Sequence, residues 1–109
     1  MYSELGPFFI AGHNGMVGSA ICRYLAANIT DHRSVITRSK SELDLLDQPA
    51  VERFMMMEQP RTVIICAARV GGIVANVKFP SDFILENITI QSNLLNACLH
   101  SKVSNVIFL

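Results

Sequence analysis

Pro7-Phe8-Phe9-Ile10-Ala11-Gly12-His13-Asn14-Gly15-Met16-Val17-Gly18 is the stretch whose reading decides the fold. A short continuous apolar run, Pro7 to Ala11, stops at Gly12, which suits a strand buried on both faces. Beyond it, Val17, Ala20, Ile21, Tyr24 and Leu25 recur at i, i+3, i+4, i+7 and i+8. That is one face of a helix ending near Asn28. A strand that passes through glycines into a helix is suited to an anion, because bare N–H groups and the helix dipole meet there. Glycine permits the tight turn, lets the backbone approach a pyrophosphate and lets helix pack close to strand. The spacing is Gly-x-x-Gly-x-x-Gly rather than Gly-x-Gly-x-x-Gly, and a bland tight turn could use two of the three. Three at this spacing, between strand and helix, make nucleotide binding the better reading.

Outward from this stretch, strand and helix alternate. Val35-Ile36-Thr37 offers a second short strand, and Leu43, Leu45 and Leu46 sit near a third, weaker one. Asp47 can cap a helix whose first turn takes Pro49, running through Val51, Phe54 and Met55 to a stop at Pro60. Thr62-Val63-Ile64-Ile65-Cys66-Ala67 is the clearest strand, and Ala68 to Pro80, with Gly71-Gly72, reads as a loop. A long helix is expected from about Asp82 to His100, with Ile84, Ile88, Leu95 and Leu99 on one flank and Ile90, Leu94 and Ala97 on another. So broad an apolar face predicts packing on more than one side. Asn105 to Leu109 reads as a final strand. Five strands alternating with helices predict an α/β fold, a Rossmann-type doubly wound parallel sheet with helices on both faces. Ligands in such sheets bind beyond the carboxyl ends of the strands at the switch point, where the glycines lie.

The whole chain is 109 residues, half of them hydrophobic and 17% charged, which excludes disorder and suits a single domain. With a mean hydropathy of +0.36 it is apolar for so small a body, so self-association or a partner chain is expected to cover part of it. Nine basic and nine acidic residues balance, leaving no basic footprint for nucleic acid or an anionic membrane. No apolar run reaches the roughly 18 residues of a membrane span; Thr62 to Val77 comes closest and is broken by Arg69. Cys22, Cys66 and Cys98 form no Cys-x-x-Cys pair and have no His at metal-ligand spacing, so they read as small buried hydrophobes in a reducing compartment. With no basic, apolar leader at the N-terminus, a cytoplasmic setting and no metal are expected.

An NAD site usually places an acid about 20 residues past the glycines to accept the ribose hydroxyls. Twenty residues after Gly18 stands Arg38, with Ser39 and Lys40 beside it. A carboxylate would repel a ribose 2′-phosphate, whereas Arg and Lys attract it, so NADP(H) is preferred over NAD. A solvated basic turn is the bland alternative. Asp44 could accept from an adenine amino group, although surface aspartates are commoner. His13 reads as an exposed filler of the glycine loop, and Met55-Met56-Met57 as core and rim packing.

Three stretches carry a resemblance. Gly12 to Ile21, Glu42-Leu43-Asp44-Leu45-Leu46-Asp47 and Ala67-Ala68-Arg69-Val70-Gly71-Gly72-Ile73-Val74-Ala75-Asn76 are similar to the GDP-L-fucose synthase family of extended short-chain dehydrogenase/reductases. That family reduces a GDP-4-keto-6-deoxy-sugar with NADPH after epimerising it. The resemblance runs from Phe8 to Leu109 and implies a cofactor site formed by Gly12, Asn14, Gly15, Met16, Val17 and Gly18 as the phosphate loop. Arg38 and Lys40 would face the 2′-phosphate, and Asp44 with Leu45 the adenine. Ala67, Ala68 and Val70 would border the pyrophosphate and nicotinamide ribose, and Asn87 would lie near the cofactor. The family often has Arg where Asn14 stands, which weakens the implication of NADP without reversing it.

The resemblance also implies what is missing. The family's chemistry uses a Tyr-x-x-x-Lys pair, whose lysine lowers the tyrosine pKa for proton transfer. Tyr2 and Tyr24 are followed four residues later by Gly6 and Asn28. The family's catalytic Ser and Cys lie just past the strand with which this sequence ends, and Cys98 is not that cysteine. The expectation is therefore one truncated cofactor-binding domain, residues 1–109, with no catalytic residue and no substrate domain. Three functions stay open: part of such a reductase, a free-standing nucleotide-binding module, or a subunit completed by another chain.

Overall fold

Alternation along one strand divides the core in two. In the computed structural model, which describes residues 4–66 and 80–109, β1 (Phe8–Ala11) is buried along its whole length. Phe8 and Ile10 point to one side, where Leu25 and Ile64 meet them. Phe9 and Ala11 point to the other, among Val51, Met55, Val63, Ile65 and Leu94. A period of two puts successive side chains on opposite faces, so a run apolar at every position must be covered twice.

The cover comes from the helices that link the strands. α1 (Met16–Asn28) leads from β1 to β2 (Val35–Ile36) and supplies Leu25, with Ile21 and Cys22 beside it. α2 (Gln48–Glu58) leads on to β3 (Thr62–Ile65), and α3 (Pro80–His100) precedes β4 (Asn105–Phe108). Both of these lie on the opposite face, bringing Val51, Phe54 and Met55 from α2 and Leu94, Ala97 and Cys98 from α3. Phe9 and Phe54 meet with ring centroids 4.6 Å apart, tilted by 57°. All strand pairs are parallel, in the order β2-β1-β3-β4, with Phe9 opposite Ile36 on one side and Val63 on the other. The doubly wound parallel sheet with helices on both faces is thus present.

Local chemistry sets the bounds of α2 as expected. Asp47 Oδ1 accepts from the Ala50 N–H at 3.2 Å, proline occupies the first turn, and the helix ends at Gln59 in the left-handed region (φ 47°) before Pro60.

Four strands form among the described residues rather than five. Leu43, Leu45 and Leu46 are apolar, but the hydrogen bonds of this stretch are local: Leu43 N–H donates to the Ser39 carbonyl and Leu46 N–H to Asp44 Oδ1. Leu43 enters the core from a turn instead of a ladder. The buried side of α1 also differs. Val17, Ala20 and Tyr24 are exposed, and the inward stripe runs through Gly18, Ile21, Cys22, Leu25 and then Ile29. On α3, Leu94 and Ala97 are buried and Ile90 half-buried, while Ile84, Ile88, Leu95 and Leu99 are exposed, so one flank packs and the other does not. Of the cysteines, Cys98 is buried, whereas Cys22 and Cys66 are half-buried. Of the expected loop from Ala68 to Pro80, residues 68–79 lie outside the described residues, and Pro80 is the first residue of α3 rather than the end of a loop.

Candidate functional site

The three glycines after β1 do different work. Gly12 has φ 90°, a conformation that L side chains rarely adopt. Gly18 is buried in α1, and a Cβ there would collide with the Gly12 carbonyl, with Gly12 C at 2.8 Å and His13 Cα at 3.0 Å. Its bareness lets the helix close on the loop. Gly15 caps α1 with extended backbone (φ −74°, ψ 172°), and a Cβ there would meet only the Gly12 carbonyl oxygen, at an ordinary 3.5 Å, among the described residues. Packing therefore does not require glycine at position 15. What its bareness leaves is open space over the first turn of α1, which has no side-chain cap from Gly15 and no acidic residue. Helix geometry leaves the first N–H groups without intrahelical acceptors, so this end can receive an anion.

Beside this loop lies an open cavity of about 270 Å³ at the carboxyl ends of β1 and β2. Ligand clefts begin at roughly 300 Å³, so its size is that of a small site or of part of a larger one. Gly12 to Gly15 form one wall, and Arg38 and Lys40 another. Leu43 to Leu46 form the third, with Glu86 and Ile90 of α3 closing it. Of the residues expected from sequence, Gly12, Asn14, Gly15, Arg38, Lys40, Asp44 and Leu45 are brought together here. Met16 and Val17 are exposed at the helix start and Gly18 lies beneath the loop; none of the three lines the cavity. Asn87 is next to Glu86 on α3 but is not among the described lining residues. Ala67, Ala68 and Val70 lie outside the described residues.

Arg38 is held on three sides. One guanidinium nitrogen donates to the Thr37 carbonyl at 2.8 Å and the other to Glu58 Oε1 at 3.0 Å, while its carbon stands 5.3 Å from the centre of the Phe54 ring. The planar cation is thus laid on an aromatic face and steered by a carboxylate. The pair with Glu58 is part-exposed, so it contributes orientation more than stability.

The turn after Arg38 is ordered by reciprocal bonds. Glu42 Oε1 accepts from the Ser39 N–H at 2.8 Å, and Ser39 Oγ accepts from the Glu42 N–H at 3.4 Å. The Ser39 N–H, then its hydroxyl, hold the Glu42 carboxyl below its ordinary pKa against a small desolvation cost, with Arg38 and His13 adding weaker attraction. Further along, the buried Asn93 of α3 donates its amide to the Leu45 carbonyl at 2.9 Å, pinning the wall formed by Leu43 to Leu46 to the helix. Neither Asn93 nor the lining residues Glu86 and Ile90 stand out in the sequence. An asparagine next to Leu94 and three residues from Ile90, on the apolar side of a helix, is the one signal that could have found it.

None of the three thiols is poised as a nucleophile. Burial raises all of them, Cys98 to about 11, and Cys22 lifts Cys66 further. Among the described residues no cluster of His, Cys, Asp or Glu could hold a metal ion, and no helix is long and apolar enough to cross a membrane. The site thus combines a glycine turn at an open helix start, two cations after the second strand and a third wall that is apolar but for Asp44.

The sequence pattern of the NAD dependent epimerase/dehydratase family matches residues 8–109. The chain belongs to this family. Its relatives within reach include a GDP-L-fucose synthase of Escherichia coli (strain K12), 46% identical over 93% of this chain. Another is a GDP-L-fucose synthase of Sinorhizobium fredii (strain NBRC 101917 / NGR234), 44% identical over 93%. The chain spans 31% of the length of each of these relatives. Among solved structures, GDP-mannoheptose C4 reductase from Campylobacter jejuni with NADP bound superposes with a TM-score of 0.84 at 34% identity. That match covers 93% of this chain and 31% of the reductase.

Proposed function

We propose that this chain is the NADP(H)-binding part of a GDP-L-fucose-synthase-like, NADPH-dependent sugar-nucleotide epimerase/reductase. The observation that carries this reading is the meeting of Gly15, at the open start of α1, with Arg38 and Lys40 on one cavity. In it, the pyrophosphate lies over the first turn of α1, the 2′-phosphate lies against Arg38 and Lys40, and the adenosine lies along Leu43, Asp44 and Leu45. The names of the relatives and the NADP in the heptose reductase support it. Met16, Val17, Asn87, Ala67, Ala68 and Val70 belong to the proposed site through the family resemblance rather than through the described cavity.

The proposal gives these 109 residues, as one domain, cofactor binding without reduction, because neither Tyr2 nor Tyr24 is followed by a lysine four residues on. A cytoplasmic setting belongs to it too, in keeping with three free thiols. So does association with a second chain, for which the exposed Ile84, Ile88, Leu95 and Leu99 on one flank of α3 supply the motive.

Fluorescence titration with NADPH and, separately, NADH tests the reading. Saturable binding with NADPH the tighter, abolished by Gly15→Val, is expected. Arg38→Met should cost NADPH about tenfold or more, as lost hydrogen bonds to a charged group do, and leave NADH nearly unchanged. Binding of neither cofactor by the folded chain would overturn it. A second reading, a free-standing nucleotide module, is favoured by the same cavity if binding is tight but indifferent to the 2′-phosphate.

A further inference from the structure

We infer that Glu58, at the end of α2, is a positioning residue for cofactor choice: its hydrogen bond holds Arg38 in one orientation and so sharpens the preference for a ribose 2′-phosphate. The inference rests on the cofactor reading above and deepens it with a residue outside the cavity.

The placement of Glu58 is unfavourable for the helix that carries it. It is the last residue of α2, whose final turn holds no basic residue. Unsatisfied carbonyls gather negative partial charge at a helix C-terminus, so a carboxylate there works against the helix. Its ion pair with Arg38 is part-exposed and returns little stability. What the glutamate does fix is a geometry. Its Oε1 accepts from one terminal nitrogen of Arg38 at 3.0 Å, across 20 positions of sequence. One helical turn earlier, the centre of the Phe54 ring stands 5.3 Å from the guanidinium carbon. Residues four apart share a helix face, so the last turn of α2 offers one cation a ring and a carboxylate together.

Arg38 is the link from this turn to the cavity. It is among the described lining residues, whereas Phe54 and Glu58 are not. The Thr37 carbonyl accepts from the other terminal nitrogen at 2.8 Å. A guanidinium has further N–H donors in its planar fork, so a phosphate can be bound without breaking either bond. A long side chain that a ligand must immobilise costs affinity, and one already held costs less. That gain reaches only a ligand that uses Arg38, hence NADPH and not NADH. A carboxylate near a phosphate also repels it, so the charge of Glu58 and its hydrogen bond act in opposite directions. Glutamine separates the two, because it keeps the acceptor and loses the charge.

The test measures NADPH and NADH affinity of the intact chain, Glu58→Gln, Glu58→Ala and Glu58→Met, each checked for folding by circular dichroism. The three variants are equally uncharged, so differences among them isolate the hydrogen bond. Methionine repeats the alanine comparison without shortening the side chain. The NADPH-over-NADH preference of Glu58→Gln should exceed that of Glu58→Ala and Glu58→Met by about threefold to tenfold, with NADH affinity alike in all three. In an Arg38→Met background the three substitutions should give equal preferences, because Glu58 acts through Arg38. Equal preferences without that background change would overturn the inference and leave the cofactor reading intact. So would a parallel loss of both cofactors in Glu58→Ala and Glu58→Met, which marks a structural role alone. A folded parent chain that binds neither cofactor would remove the cofactor reading and this inference together.

Discussion

The Asn93 side-chain amide donates to the Leu45 carbonyl at 2.9 Å, joining α3 to the turn that lines the cavity across 48 positions of sequence. Asn93 is 7% exposed, so the bond is shielded from water. Asn93→Leu keeps the branched outline of the side chain and removes the donor, leaving a part-buried carbonyl without its partner. A loss of about 1–3 kcal/mol in stability is expected, read by urea denaturation. NADPH affinity should fall with it, because the wall formed by Leu43 to Leu46 loses its tie to the helix. Unchanged affinity in a destabilised variant would show that the tie serves the fold alone.

Gly15 and Gly18 are expected to respond oppositely to the smallest substitution. Gly18→Ala drives a methyl into the Gly12 carbonyl and should destabilise by about 1–3 kcal/mol, the usual cost of overpacking. Gly15→Ala meets ordinary contact distances and should leave the melting temperature nearly unchanged while weakening cofactor binding. Thermal melts and titrations on both variants check this crossed pattern. Equal stability losses would contradict it.

Cys98 should make the fold sensitive to alkali. Its thiol lies among Leu94, Ala97 and Val51 on the α2–α3 side of the sheet, and burial raises its pKa from 9.0 to about 11. The folded chain then holds its proton where the unfolded chain has lost it. The associated stability is complete below pH 9 and is lost as the pH climbs towards 11. Its magnitude is on the order of 2 kcal/mol. Denaturation midpoints for the parent chain should therefore fall more steeply over that range than those of Cys98→Ala, which starts lower because of its cavity. Identical slopes would show that the thiol is not shielded.

The bare flank of α3 is expected to associate. Ile84, Ile88, Leu95 and Leu99 repeat at spacings of four, seven and four, a ridge along the side of the helix opposite Leu94 and Ala97. Sedimentation equilibrium should show the parent chain in a concentration-dependent dimer, and Ile88→Lys with Leu95→Lys should return it to monomer. A clean monomer of the parent chain at high concentration would contradict the expectation.

The fold is largely legible where a single element carries its own signal. Phe8 to Ala11 and Thr62 to Ile65 are apolar at every position, which only a strand covered on both faces needs. Asp47, Pro49 and Pro60 bracket α2 by local chemistry that no distant contact overrides. Leu43 to Leu46 defeat the same reading because apolarity reports burial and not hydrogen bonding; the Ser39–Glu42 and Asp44 bonds fix a turn there. The inward side of α1 is missed for a related reason. Gly18 counts as nothing on a hydrophobic scale, yet its closeness to Gly12 orients the helix. In the site, Arg38, Lys40, Asp44 and Leu45 are readable because they follow one strand. Glu86 and Ile90, which line the cavity, and Asn93, which ties its wall to α3, are not, since α3 meets that wall only after the chain has passed through β3.

The cavity has one more consequence. Its walls come from residues 12–15, 38–46 and 86–90, three segments that meet in space but are far apart along the backbone. A molecule seated there is a removable crosslink, closing loops of chain that nothing covalent closes. Each tenfold excess over its dissociation constant adds about 1.4 kcal/mol to the folded state. On the proposed reading, the lifetime of this polypeptide in a cell would therefore track the supply of its cofactor.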